Sequence, residues 1–120
     1  MKPKIDSTSF GSITVEGETY KYDILIRLNG QVEKREKELS KELYGTSHKI
    51  SLEEAKYIFE EGTEKIIIGT GQTGFVKLSE EAEDFFRENK CGVELFPTPW
   101  AIERWNELEG RITAMFHVTC

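Results

Sequence analysis

The stretch Ile66-Ile67-Ile68-Gly69-Thr70-Gly71-Gln72-Thr73-Gly74 carries residue types that can handle a phosphate. A β-branched run ends in glycines spaced G-x-G-x-x-G. In a dinucleotide-binding unit such glycines allow a tight turn and bring backbone N–H groups against a pyrophosphate. That chemistry also needs a helix N-terminus directly at the loop. Here Phe75-Val76-Lys77-Leu78 intervenes before the next helix cap, Ser79. Glu94 lies at the spacing of a ribose-binding acid, but in a chain with 22 acidic residues that spacing discriminates little. A purely conformational strand-end turn explains the glycines better than a dinucleotide does. Together with Thr98, the short polar side chains of Thr70, Gln72 and Thr73 nevertheless form a set that could orient a small anion at strand ends.

Other chemistry finds less support. His48, His117, Cys91 and Cys120 are the only soft metal ligands. Their spacings fit no compact zinc motif, and structural zinc takes four such ligands. Neither a metal nor a cofactor is expected. A nucleophilic cysteine needs a neighbouring base or a helix N-terminus to lower its pKa. Cys120 lies about 10 Å beyond His117 in an extended strand, and Cys91 follows a helix C-terminus, where the dipole disfavours a thiolate. The acidic pairs Glu53-Glu54, Glu60-Glu61 and Glu80-Glu81 fall at helix ends or exposed faces and need no catalytic explanation. The residues offer no coherent catalytic set.

The elements that must position these residues follow from periodicity and punctuation. Ser12 to Val15 reads as a strand, Glu16-Gly17-Glu18 as a turn, and Tyr20, Tyr22, Ile24, Ile26 and Leu28 as one face of a longer strand. Asn29-Gly30 signals a type I′ hairpin, because both residues tolerate positive φ. The returning segment, about 31–36, is almost wholly charged and suits a sheet edge, with Lys34-Arg35-Glu36-Lys37 as a solvated face. Residues 38–49 read as a connector. Ser51-Leu52-Glu53-Glu54 spells a capping box before a helix with Leu52, Ala55, Ile58 and Phe59 in its stripe, ending near Gly62.

The rest alternates. Lys65 to Gly69 is a strand, Ser79 caps a helix that buries Ala82, Phe85 and Phe86, and Gly92 to Phe96 is a second strand. Thr98 is the expected cap of a third helix, with Pro99 at its first position and Ala101, Trp105 and Leu108 inward, ended by Gly110. Arg111 to Thr119 is a last strand with Ile112, Ala114, Phe116 and Val118 on one face and Met115 on the other, a pattern for a central strand covered on both sides. Strand–helix–strand over 65–96 implies a right-handed parallel crossover. Parallel strands end on one sheet edge, so Gly69-Thr70-Gly71 and Pro97-Thr98-Pro99 should lie side by side where open α/β sheets usually bind ligands.

Composition bounds the rest. One domain spanning 1–120 is long enough to build a core without staples. Two cysteines without a C-x-x-C read as reduced thiols in a cytoplasmic protein. The first six residues lack an apolar h-region, so no signal peptide is expected, and no apolar run is long enough to span a bilayer. A net charge of −6 argues against nucleic acid and anionic membranes as partners. Heavy use of Glu and Lys with little Gln or Asn is compatible with a heat-loving source.

Ser9-Phe10-Gly11, Gly45-Thr46-Ser47-His48-Lys49-Ile50-Ser51, Ile68-Gly69-Thr70-Gly71, Pro97-Thr98-Pro99, Ala101, Asn106 and the closing His117-Val118-Thr119-Cys120 occur in an order that resembles one family. It is the small domain of unknown function shared by an adipogenesis-associated cytosolic protein, a mitochondrial respiratory complex I assembly factor and stand-alone microbial proteins. The resemblance spans essentially the whole chain. It implies a three-layer α/β domain with a mixed central sheet, flanking helices and an extra N-terminal β-meander layer. It also implies roles in assembly and partner binding rather than a reaction, with an unidentified protein or a second copy of the chain as partner. Trp100 departs from the polar helix-start residue expected there, and Trp105 from an expected tyrosine. An exposed Trp100 would serve as a partner anchor, whereas a buried one would be core.

Overall fold

The computed structural model describes residues 2–120; residue 1, part of the N-terminal stretch read above for a signal peptide, lies outside them. Strands β1 (Ile5–Ser9), β2 (Ser12–Val15) and β3 (Glu18–Tyr20) form an antiparallel meander. Then come β4 (Ile24–Ile26), β5 (Val32–Lys34), α1 (Glu38–Tyr44), β6 (Lys49–Ile50), α2 (Leu52–Ile58), β7 (Lys65–Thr70), β8 (Lys77–Leu78), α3 (Glu80–Glu88), β9 (Gly92–Phe96), α4 (Thr98–Glu107) and β10 (Ile112–His117). A mixed central sheet has the order β5-β4-β10-β7-β9, and β6 and β8 make a small parallel pair. Among the described residues no helix is long and apolar enough to cross a membrane.

The two faces of the central sheet carry two cores, as the alternation in β10 requires. Ala114, Phe116, Ile67 and Ile24 pack under Ala101, Ile102 and Trp105 of α4 and under Ile5, Ile13 and Val15 of the meander. Met115, Ile66, Ile68 and Leu25 face Ala55 and Ile58 of α2 and Ala82 and Phe86 of α3. Ser79 accepts from the Ala82 N–H at 3.1 Å, so α3 begins where its cap predicts.

Several expectations are corrected. The long strand from Tyr20 to Leu28 is two strands in different sheets, broken at Lys21-Tyr22-Asp23. Its stated face does not survive the break: Tyr22 is exposed while Ile24 is buried. Asp23 makes the crossing possible, because its buried carboxylate accepts the Val118 N–H at 2.9 Å and its carbonyl accepts the Arg35 N–H at 2.9 Å. The type I′ turn occurs at Glu16-Gly17, where φ is +47° and +84° and Val15 pairs with Glu18. At Asn29-Gly30 only Gly30 has positive φ. There the Gly30 N–H donates to Arg27 and the Arg27 N–H to Gln31, a three-residue loop rather than a two-residue one.

The connector contains α1, invisible to periodicity because only Ser40 of it is buried. The capping box is half made. Ser51 accepts from the Glu54 N–H at 3.1 Å, but the Glu54 carboxylate turns elsewhere. Arg35 is buried rather than part of a solvated face.

Candidate functional site

Strands β7, β9 and β10 run parallel, with Gly69 opposite Phe96 on one side and Phe116 on the other. Their carboxyl ends therefore share one edge, and the segments predicted to meet there do meet. The Thr98 N–H donates to Gly71 O at 2.9 Å, the Gly71 N–H donates to Thr98 Oγ1 at 2.9 Å, and Thr98 Oγ1–H donates to His117 O at 2.6 Å. Thr98 is thus not the cap of α4. Pro97 holds that position, Pro99 is the second helical residue, and the Thr98 hydroxyl, fully buried, ties three strand ends together.

The loop between Gly69 and Gly74 is folded onto the same edge. The Gln72 N–H donates to Thr119 O at 2.7 Å, Gly74 N–H to Gly71 O at 3.3 Å, Phe75 N–H to Cys120 O at 3.2 Å and Val76 N–H to Thr70 O at 3.0 Å. Thr70 is buried, Gln72 Nε2 donates to Thr8 Oγ1 at 3.1 Å, and Thr73 Oγ1 donates to Cys120 O at 3.4 Å. A Cβ on Gly69 would stand 2.7 Å from the Phe116 ring and 2.9 Å from Thr98 Oγ1. Gly71 has φ +107°, and a Cβ there would stand 2.7 Å from the Cys120 carbonyl carbon. Close packing and backbone conformation therefore account for both glycines.

One strand over on this edge lies a cluster that sequence reasoning missed. Asp23 and Arg35 flank β4 and β5; Asp23 meets the end of β10 and Arg35 the start of α2. The Arg35 side chain is fully buried. Its Nε and Nη2 donate to Glu54 at 2.6 and 3.0 Å, its Nη1 to Asp23 Oδ2 at 2.9 Å, and its Nη2 also to Ser47 O at 2.8 Å. Glu54, fully buried, also accepts from Ser40 Oγ at 2.5 Å. Ser51 joins the set by donating its N–H to Ser40 Oγ at 2.9 Å and its hydroxyl to Leu39 O at 2.8 Å. This is what turned Glu54 away from the capping box and buried the one polar face of α1.

His117 completes the cluster. Its Nδ1 is 2.7 Å from Asp23 Oδ2, and since an ionised carboxylate only accepts, Nδ1 carries the proton. Nε2 then faces Thr119 Oγ1 at 3.1 Å, and the His48 ring packs edge-on at 5.4 Å between centroids. Burial alone would raise the Asp23 pKa. The hydrogen bond and charge of His117, the Val118 N–H and Arg35 outweigh it and hold the carboxyl below its usual range. Burial alone would lower the Arg35 pKa, but Glu54 and Asp23 hold the guanidinium firmly charged. The hydroxyl–imidazole–carboxylate order of Thr119, His117 and Asp23 is that of nucleophilic triads. Here its visible effect is structural: it orients Thr119 and anchors the end of β10 beside β4.

The remaining sequence candidates are dispersed. Cys91 is buried, and burial pushes its thiol up to about 11. Among the described residues, no three or more His, Cys, Asp or Glu side chains are grouped so as to hold a metal ion. Trp100 is 66% exposed on the first turn of α4. With Phe96, Glu103, Arg104 and Glu107 it borders a groove of about 310 Å³. Beside it β9 is the outermost strand of the central sheet.

Residues 5–117 match the family described as a protein of unknown function, DUF498/DUF598. The fold is similar to that of the crystal structure of a conserved hypothetical protein, PH1505, from Pyrococcus horikoshii OT3, at 36% identity and TM-score 0.91 over 98% of this chain and 99% of that one. It is likewise similar to the protein MT938, at 35% identity and TM-score 0.84 over 99% of this chain and 100% of that one. A Bordetella parapertussis protein shares the fold at 17% identity and TM-score 0.75, over 98% and 96% of the two chains. The chain belongs to the DUF498/DUF598 family.

Proposed function

We propose that this domain acts by binding another protein, through the surface formed by β9 and the start of α4. The exposure of Trp100 carries the reading: a large aromatic left 66% exposed beside half-buried Phe96 and an open strand edge is the kind of anchor that dominates interface energies. Its surroundings suit a rim, since Glu103, Arg104 and Glu107 surround the apolar centre. An unpaired strand edge adds backbone donors and acceptors that a partner strand can satisfy. The assembly and partner-binding roles implied by the family resemblance point the same way.

The competing reading places a small anion or nucleotide at Gly69, Thr70, Gly71, Gln72, Thr73 and Thr98. It would require the N–H groups of Gly71, Gln72, Gly74 and Thr98 to leave the oxygens they now meet. Partner binding asks for no such rearrangement, and it is the reading we favour.

The test is affinity capture from the source lysate with wild-type and Trp100→Ala bait, followed by reconstitution with the purified partner. Trp105 is buried and serves as the untouched tryptophan. Binding should weaken by about thirtyfold or more in Trp100→Ala, the scale of a hot-spot residue. Equal affinity of bait and variant would remove Trp100 from the interface. Concentration-dependent dimers abolished by the same substitution would identify the partner as a second copy.

A further inference from the structure

The chain carries a net charge of −6, yet one cavity collects cations. Lys21, Lys34, Lys37 and Arg35 line it, with Asp23 as the single carboxylate, in a space of about 150 Å³. Arg35 is already paired with Asp23 and Glu54, so the three lysines supply the positive charge of the cavity. The break between β3 and β4 creates this arrangement, because it brings Lys21-Tyr22-Asp23 alongside the end of β5 and the residues that follow it. None of the three lysines has an ion-pair partner among the described residues. Lys34 Nζ lies 5.3 Å from the centre of the Tyr22 ring, and both residues line the cavity.

The lining is built as well as charged. Arg35 and Asp23 are held by the sealed cluster beneath, which also includes His117 and Glu54. Of the five N–H donors of a guanidinium, four of Arg35's are spent on Glu54, Asp23 and Ser47. The guanidinium is 0% exposed, so it supports the lining from beneath rather than facing the cavity. Thr119 also lines the cavity. Its Oγ1, 3.1 Å from His117 Nε2, adds a hydroxyl to the lining. The cavity thus offers three ammonium groups and a hydroxyl.

From this geometry we infer that the cavity binds a small, multiply charged oxyanion of the phosphate class, either free phosphate or the phosphoryl end of a small monoester. Ammonium groups recognise phosphate as point charges, and the volume is well below the several hundred Å³ of a nucleotide-sized site. Hydrogen phosphate carries both anionic oxygens for the lysines and a hydroxyl that can donate to Thr119. This site lies toward the β5 side of the central sheet, the side opposite β9 and Trp100, and does not depend on the protein-binding reading.

The experiment is titration calorimetry at low ionic strength with inorganic phosphate, methyl phosphate and succinate against wild type, Lys34→Ala and Lys90→Ala. Lys90 is exposed, does not line the cavity, and controls for general loss of positive charge. Saturable one-to-one phosphate binding is expected, weakened about tenfold in Lys34→Ala and unchanged in Lys90→Ala. Methyl phosphate binding equal to that of phosphate would identify a monoester end as the natural ligand; phosphate alone would identify the free ion. The proposal is overturned by the absence of saturable phosphate binding, by equal weakening in the two lysine variants, or by succinate binding as well as phosphate. Melting temperatures without ligand should match across the three proteins, which separates lost binding from lost fold.

Discussion

Glu54 and Glu94 each receive an arginine fork of nearly the same geometry. Arg35 reaches Glu54 at 2.6 and 3.0 Å, and Arg104 reaches Glu94 at 2.7 and 3.0 Å. Their surroundings differ completely. Both side chains of the first pair are 0% exposed, while Arg104 and Glu94 are 36% and 20% exposed and share their charge with Lys65. Geometry alone therefore says little about energetic weight. In the sealed pair neither charge can be solvated if the other is removed, whereas in the open pair water can replace the partner.

The largest expected effect follows from that difference. Glu54→Ala leaves the Arg35 charge buried with Asp23 alone and leaves the Ser40 hydroxyl without its acceptor. Stability should fall by about 3–5 kcal/mol, the usual result of stripping one partner from a buried pair. Urea unfolding measures it, and Glu94→Ala in the open pair is the comparison. If the two losses are equal, the contrast between sealed and open pairs is wrong for this protein.

An uncharged test sharpens the same point at the neighbouring strand ends. Gly71 has positive φ and no room for a Cβ next to Cys120, while Gly74 has positive φ but its nearest contacts, Pro97 and Thr70, are at 3.6 Å. Gly71→Ala combines strain with a backbone collision and should cost about 2 kcal/mol or more. Gly74→Ala carries the conformational strain alone, about 1 kcal/mol. Thermal unfolding of the two variants checks the order. Equal melting temperatures would show that the packing against Cys120 yields easily, and would leave conformational strain as the whole effect.

How far these sites could be read from the chain depends on whether their determinants are local. Strands β7, β9 and β10 and helix α3 were legible because side-chain period and an N-cap are written within a few residues. The meeting of Gly71 with Thr98 was legible because parallel strands must end on one edge. The destination of the Thr98 hydroxyl was not, since a threonine before Pro99 looks the same whether it caps a helix or ties strand ends together. The Asp23–Arg35–Glu54 cluster was illegible for a stronger reason. Its members are 12 and 19 positions apart from Arg35, and nothing local distinguishes Arg35 from its neighbours Lys34 and Lys37. The alternation from Tyr20 to Leu28 likewise continues in residue type across a change of sheet, so period alone cannot show the break at Asp23.

The smallest expected effect concerns the open pair and its pH dependence. Hydrogen bonds from Arg104 and Lys65 lower the Glu94 pKa from 4.5 to about 2. A carboxyl whose folded pKa is depressed contributes stability above its unfolded pKa and loses it as pH falls through the folded value. The contribution is therefore complete above pH 4.5 and lost between there and about pH 2. Because both partners of Glu94 are about one-third exposed, solvent screening reduces it to about 1 kcal/mol. Asp23, also held below its usual range, adds an acid-labile term in the same direction. Glu94→Gln separates the two, since it removes the first and keeps the second. Urea midpoints against pH should show Glu94→Gln below wild type near neutrality, with the curves converging toward pH 2 and both still falling. Added salt should narrow the gap near neutrality, because exposed charges are screened and the sealed cluster is not. Parallel curves down to pH 2 would mean that the variant loses packing rather than charge pairing.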